Sequence, residues 1–150
     1  MKPLAIIAMA LFMLALGLVV APAGAGEQTA LAYVQARYKD KPEPGADARY
    51  SRRIERLWGE CEEREAETGD PCMDSNLWVN AQDWEIKDQT FEQTVDDAER
   101  AQIVSTFDNM GRATKITIDL SKDDDGWVID DIGTGCDTLS GVLRAEGSIC

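Results

Sequence analysis

Apolar positions recur at two different periods along this chain, and the change of period divides it. In residues 28–38, Leu31, Val34 and Tyr38 fall at helical spacing and predict a short amphipathic helix. Pro42, Pro44 and Gly45 end it. Tyr50, Ile54, Leu57, Trp58 and Cys61 then mark one face of a longer helix over about 48–67, with Asp47 as its expected N-cap. The opposite face is ionic, and Arg56, Glu60 and Arg64 are spaced as i,i+4 pairs. The run Thr68-Gly69-Asp70-Pro71 stops this helix. Leu77, Trp78 and Val79 follow as a short apolar cluster that fits a helical turn or a loop packed on the core.

From Trp84 onward the period shortens to two. Four strands are expected: Trp84 towards Val95, Ala101–Phe107, Arg112–Leu120 and Gly126–Ile132. In the third, Ile116, Ile118 and Leu120 share one face while Lys115, Thr117 and Asp119 share the other. Asp96-Asp97, residues 108–111 and residues 122–126 supply the turns. Gly133-Thr134-Gly135 breaks the last strand, and Asp137 is placed to cap a final short helix carrying Leu139, Val142 and Leu143. Helices first, then an antiparallel meander, then a short helix predicts an α+β fold: N-terminal helices packed on a curved antiparallel sheet of about four strands.

The last strand, GWVIDDI, poses a problem. Strict alternation places Asp131 on the face of Trp127 and Ile129, or Asp130 on the face of Val128 and Ile132. Either phase turns one aspartate toward the core. A carboxylate there must be hydrogen-bonded, ion-paired or neutral.

The N-terminus changes the picture of location. Lys2 is the one charge before Glu27, residues 4–20 form an unbroken apolar run, and Ala23-Gly24-Ala25 matches a signal-peptidase site. Residues 1–25 are therefore expected to be a cleaved signal peptide, leaving residues 26–150 as a single domain in the periplasm or outside the cell. The rival is an uncleaved membrane anchor, since the run is almost long enough to span a bilayer. The net charge of −13 becomes one unit more negative on losing Lys2. Such a chain repels nucleic acid and anionic membranes and gains solubility. Cys61, Cys72, Cys136 and Cys150 all lie after the cleavage point. An even count in an exported chain points to disulfides, and four cysteines allow three pairings. Proximity in sequence favours Cys61–Cys72 and Cys136–Cys150.

The segment NAQDWEI (80–86), the short strands after it, DGWVIDDI (125–132) and the leucine-bearing C-terminal helix together resemble a family of exported bacterial proteins, domain of unknown function 3828. Residues 81–84 and 126–132 carry the specific part of the likeness, which spans roughly residues 28–146. The resemblance implies a fold similar to nuclear transport factor 2, in which a curved antiparallel sheet and helices form a cone. It implies export, and it implies no activity.

Five residues are the candidates for contact with a ligand or partner: Asp83, Trp78, Trp84, Asp130 and Asp131. For the aspartate turned inward at 130 or 131, the structural reading is a tie between the sheet and the final helix, through backbone N–H groups or an arginine such as Arg144. The functional reading places it at the mouth of the cone. Asp83 could face it across a pocket as an acid–base partner, or bond backbone at the sheet entry. Trp58 and Trp127 fit core periodicity, whereas Trp78 lies in the irregular segment and suits a pocket rim or partner contact. The buried Trp N–H groups need acceptors.

Several chemistries find no support. The chain has no histidine, so no Ser-His or Cys-His pair exists. No CxxC metal spacing, phosphate loop or dinucleotide fingerprint is present. A calcium loop with its glycine at Gly126 would start at Ser121 and end at Ile132, where Asp and Glu are required. Neither metal nor cofactor is expected. The leading expectation is a non-enzymatic binding protein, monomeric or homodimeric, for a protein partner or small apolar ligand. The alternatives are an enzyme with an inward Asp as general base and a purely structural envelope protein.

Overall fold

The computed structural model describes residues 28–39 and 43–146. The expected signal peptide and Cys150 lie outside them. The order is α1 (Ala30–Tyr38), α2 (Arg52–Thr68), β1 (Ile86–Asp96), β2 (Arg100–Asn109), β3 (Arg112–Asp123), β4 (Gly126–Gly133) and α3 (Leu139–Leu143). The strands form one antiparallel sheet in the order β1-β2-β3-β4, so the α+β class and the meander are as the sequence predicts.

The turns follow the side chains at their corners. Asp97 accepts backbone N–H bonds from Glu99 at 2.9 Å and Arg100 at 2.6 Å, which closes the β1–β2 connection. Met110 and Gly111 both have positive φ, 54° and 84°. That is the geometry of a two-residue hairpin loop whose twist matches its strands. Between β3 and β4, Asp123 accepts from the N–H of Asp125, and Gly126 takes φ 115°.

One face of the sheet carries the core. Ile103, Ile116, Ile118, Ile129 and Ile132 are all at most 1 % exposed, and Val34, Ile54, Leu57 and Cys61 cover them from α1 and α2. Each such aliphatic side chain contributes about 1.5–3 kcal/mol by leaving water. The segment 77–79 is a loop packed into this same core, with Leu77, Trp78 and Val79 buried. Asn109 at the end of β2 holds it: its amide donates to the Val79 carbonyl and its oxygen accepts from the N–H of Glu85.

Helix α2 begins later than its apolar spacing predicts. Ser51 is the N-cap, its hydroxyl accepting from the N–H of Ile54, and Asp47 instead sits in a left-handed turn at φ 60°. The reason lies in the sheet. The Ser51 N–H donates to the Ile129 carbonyl and the Ile129 N–H to the Arg49 carbonyl, both at 2.8 Å. Residues 49–51 thus run beside β4 as a short parallel partner, and Tyr50 belongs to that extended backbone rather than to the helix. The edge of β4 satisfies its hydrogen bonds there, which a helix starting at residue 48 would forbid. At its other end α2 stops at Gly69, in the left-handed conformation with φ 80°. Arg64 donates to the carbonyls of Glu60 and Leu143 rather than serving as a carboxylate partner of Glu60. The final helix is capped by Thr138, whose hydroxyl accepts from the N–H of Gly141, and not by Asp137.

Cys61 and Cys72 are joined as a disulfide, which ties the third turn of α2 to the loop after it. Cys136 is disulfide-bonded as well. An intramolecular disulfide fits an oxidising compartment outside the cytoplasm. Among the described residues no helix is long and apolar enough to cross a membrane.

Candidate functional site

The two aspartates of β4 escape the choice that strict alternation sets them. Leu120 pairs with Ile129 and Asp119 with Asp131, so Asp130 has no cross-strand partner. This is a β-bulge, one extra residue absorbed by one strand. It resets the phase: Trp127, Ile129 and Ile132 are all buried against the core, although the last two are three residues apart. The expectation that one aspartate must lie on the apolar face is therefore overturned. Both carboxylates stand at the kink, partly exposed.

Each has defined partners. Asp131 accepts from the backbone N–H groups of Ile132 at 2.9 Å and Ser140 at 3.0 Å, and its second oxygen takes the Ser140 hydroxyl. Arg53, on the first turn of α2, reaches across to both aspartates, at 3.7 Å from Asp130 and 3.5 Å from Asp131. It also donates to the Asp130 carbonyl. The bulge, the N-terminus of α2 and the start of α3 are thereby joined. Arg53 supplies the cation; Arg144 pairs with Glu146 instead.

A concave feature of the described surface lies next to this knot. A cavity of about 480 Å³ opens between residues 43–45, Tyr50, Trp58, the loop 73–78, the entry to β1, and the ends of β4 and α3. Its walls carry three of the four tryptophans, Trp58, Trp78 and Trp84, together with Tyr50. Met73, Leu77, Ile132 and Leu139 supply the aliphatic part. Ser75, Asn76 and Gln82 add neutral polar groups, and the exposed Glu43 and Asp74 bring carboxylates.

Local bonds fix these walls. Trp78 is only 3 % exposed. Its backbone N–H donates to the Asn76 side chain, its carbonyl accepts from the Tyr38 hydroxyl, and its indole N–H points to the Tyr50 hydroxyl at 3.4 Å. The Tyr38 ring meets it edge-on, with centroids 5.5 Å apart. Gly45 lies directly against the indole: a Cβ there would fall 2.2 Å from Trp78 Nε1, and φ is 88° besides. Trp58 is half-buried and tilted over Tyr50, 6.2 Å between centroids. Trp84 precedes β1 rather than lying within it, and it is 37 % exposed.

The electrostatics follow from this packing. Burial pushes the Tyr50 phenol above its usual range, its bond with Trp78 acts in the opposite sense, and the charges of Tyr33 and Glu43 add to the rise. Burial likewise raises Tyr38, against a smaller lowering by its bond with Ser105. Both phenols are neutral at ordinary pH, Tyr38 donating to the Trp78 carbonyl and Tyr50 accepting from the Trp78 indole.

The sequence-derived candidates are thus distributed. Trp78 forms the floor of the cavity and Trp84 its exposed wall. Asp83 is exposed and is not among the lining residues, and Asp130 and Asp131 belong to the bulge beside it. Trp127 is a core residue whose indole N–H donates to the Gln28 carbonyl at 3.0 Å. Trp58 and Tyr50, read from spacing as one helical face over the core, are the cavity residues that sequence reasoning missed. A second hollow, of about 730 Å³, is bounded by the charged side chains of Arg49, Arg52, Arg53, Lys122, Asp123 and Asp130. Among the described residues no group of three or more Cys, Asp or Glu side chains is gathered to hold a metal ion. No family model, curated protein or solved structure matches the chain.

Proposed function

We propose that this protein is an exported binding protein that holds a small, largely apolar ligand in the tryptophan-lined cavity. The observation that carries the reading is the convergence of Tyr50, Trp58, Trp78 and Trp84, from two separate stretches of chain, on one hollow of about 480 Å³. Ligand sites are typically hollows of this size, apolar and aromatic with a few placed polar groups. Trp58 is only half-buried and Trp84 is 37 % exposed at the wall, although burying them would favour folding.

Export is part of the proposal. The apolar run at residues 4–20, the small residues before position 26 and the Cys61–Cys72 disulfide all support it. So is the likeness to the domain of unknown function 3828 family and its cone-shaped relatives, for which helices preceding a four-stranded antiparallel meander are the supporting feature. Binding is favoured over Asp-based catalysis because the carboxyl oxygens of Asp131 are engaged by Ile132, Ser140 and Arg53. A general base needs a free lone pair within reach of its substrate.

Native mass spectrometry on protein purified gently from its host's envelope tests this. The expected species begins at Gly26 and carries extra mass that leaves on activation, and Trp84→Ala loses that mass. A bare wild-type chain would overturn the binding reading, and a retained N-terminal segment would overturn export.

A further inference from the structure

The chemistry of the cavity wall narrows the ligand class. Among the described residues no Lys or Arg lines the cavity, whereas Glu43 and Asp74 do. Both acids are exposed, as is Trp84, whereas Tyr50 and Trp58 are half-buried and Trp78 is buried. Trp58 is half-buried, Trp84 is 37 % exposed, and the Tyr50 phenol stays neutral in the wall. An indole ring has a negative face, and it attracts a cation more strongly than any other side-chain ring. A carboxylate rim adds a long-range pull of the same sign. The charge of the whole chain, −13, reinforces both. A neutral ligand would use the apolar walls but not the rim. An anionic ligand would meet two carboxylates and, among the described lining residues, no cation.

We propose that the ligand carries a positive charge on an apolar body, a quaternary or fully methylated ammonium group seated against Trp58 and Trp84 with Glu43 and Asp74 outside it. Methyl groups around the nitrogen suit this wall. They spread the charge over an apolar surface and remove N–H donors that the indoles cannot accept as well as water does. The hollow is large enough for such a head group with a short chain attached. This inference rests on the cavity being a binding site, and the test separates the two claims.

Choline and 3,3-dimethylbutan-1-ol have the same shape and differ in one unit of charge. Each is titrated into the folded mature protein while tryptophan fluorescence is followed. Choline is expected to bind at least tenfold tighter than the alcohol, with the gap shrinking severalfold in the double variant Glu43→Gln, Asp74→Asn and at high salt. Both replaced carboxylates are exposed, so the double variant keeps its core. Equal affinities for the two probes would overturn the cationic preference while leaving the cavity as a binding site. No response to either would overturn both. A preference that persists undiminished in the double variant would remove the rim from the account.

Discussion

Asp131 grips Ser140 twice, through its backbone N–H at 3.0 Å and through its hydroxyl. The contact joins the last strand to the last helix and explains why a strand so rich in apolar residues keeps a carboxylate pair. A single carboxylate on that strand replaces water as acceptor for three donors, two of them on the helix. Hydrogen bonds to a charged group are worth about 1.5–3 kcal/mol each when a donor would otherwise be left buried.

Replacing Asp131 with Asn is expected to cost about 1–3 kcal/mol, since one acceptor oxygen becomes a donor facing the Ser140 hydroxyl. Asp130→Asn should cost under about 1 kcal/mol, because its side chain is 40 % exposed and its one cation stands 3.7 Å away. Denaturant unfolding measures both. Equal losses would contradict the division of labour at the bulge.

Gly45→Ala tests the cavity floor. The new methyl would have to occupy space held by the Trp78 indole, in a backbone conformation that L residues rarely adopt. A loss of roughly 2 kcal/mol or more is expected, with a change in tryptophan emission, because either the loop or the indole must move. Unchanged melting and emission would contradict the role of this close approach in holding the floor.

Acid and alkali act on different groups. The Asp123 carboxyl lies below its ordinary value of 3.8 chiefly because it bonds Arg49, and Asp97 is lowered by the N–H groups of Glu99 and Arg100. A lowered pKa gives stability that is present above the ordinary value and is lost as pH falls through the folded one. Asp123→Asn should therefore flatten the acid limb below about pH 4. Tyr38 and Tyr50 are raised, principally by burial. A raised pKa gives stability that is complete below the ordinary tyrosine value of 10.0 and declines as pH climbs above it. Melting temperature against pH, with Tyr38→Phe as the control, should show the alkaline limb and its reduction. An unchanged limb in Tyr38→Phe would assign the transition elsewhere.

Removing the Cys61–Cys72 bridge, as Cys61→Ser with Cys72→Ser, should cost about 3 kcal/mol through loop closure alone. It also frees the loop before residue 73, which borders the cavity. Lower stability together with weaker ligand binding is expected from the double variant. Intact binding at temperatures where it remains folded would show that the cavity wall does not depend on the bridge.

Much of the fold is legible in the sequence because it is local. The face of Ile116, Ile118 and Leu120 follows from alternation, and the stop at Gly69 follows from one residue's backbone freedom. What is missed is non-local. The bulge at Asp130 belongs to the pairing of β4 with β3 and has no signature within β4 itself. Tyr50 keeps helical spacing with Ile54 yet is extended, because Ile129, far along the chain, claims the backbone on either side of it. The cavity is hidden for the same reason. Trp58 and Trp84 become neighbours of one hollow only when α2, the 73–78 loop and the ends of β4 and α3 are brought together.

The four tryptophans supply the most direct test of the central claim, that the cavity is where ligand binds. Each gives its own indole N–H resonance, and Trp127, bonded to the Gln28 carbonyl, lies outside the cavity lining and serves as an internal reference. On adding choline or its neutral isostere, the resonances of Trp58, Trp78 and Trp84 are expected to move with saturation while that of Trp127 stays in place. No movement with either compound, or movement of Trp127 equal to the other three, would contradict the account.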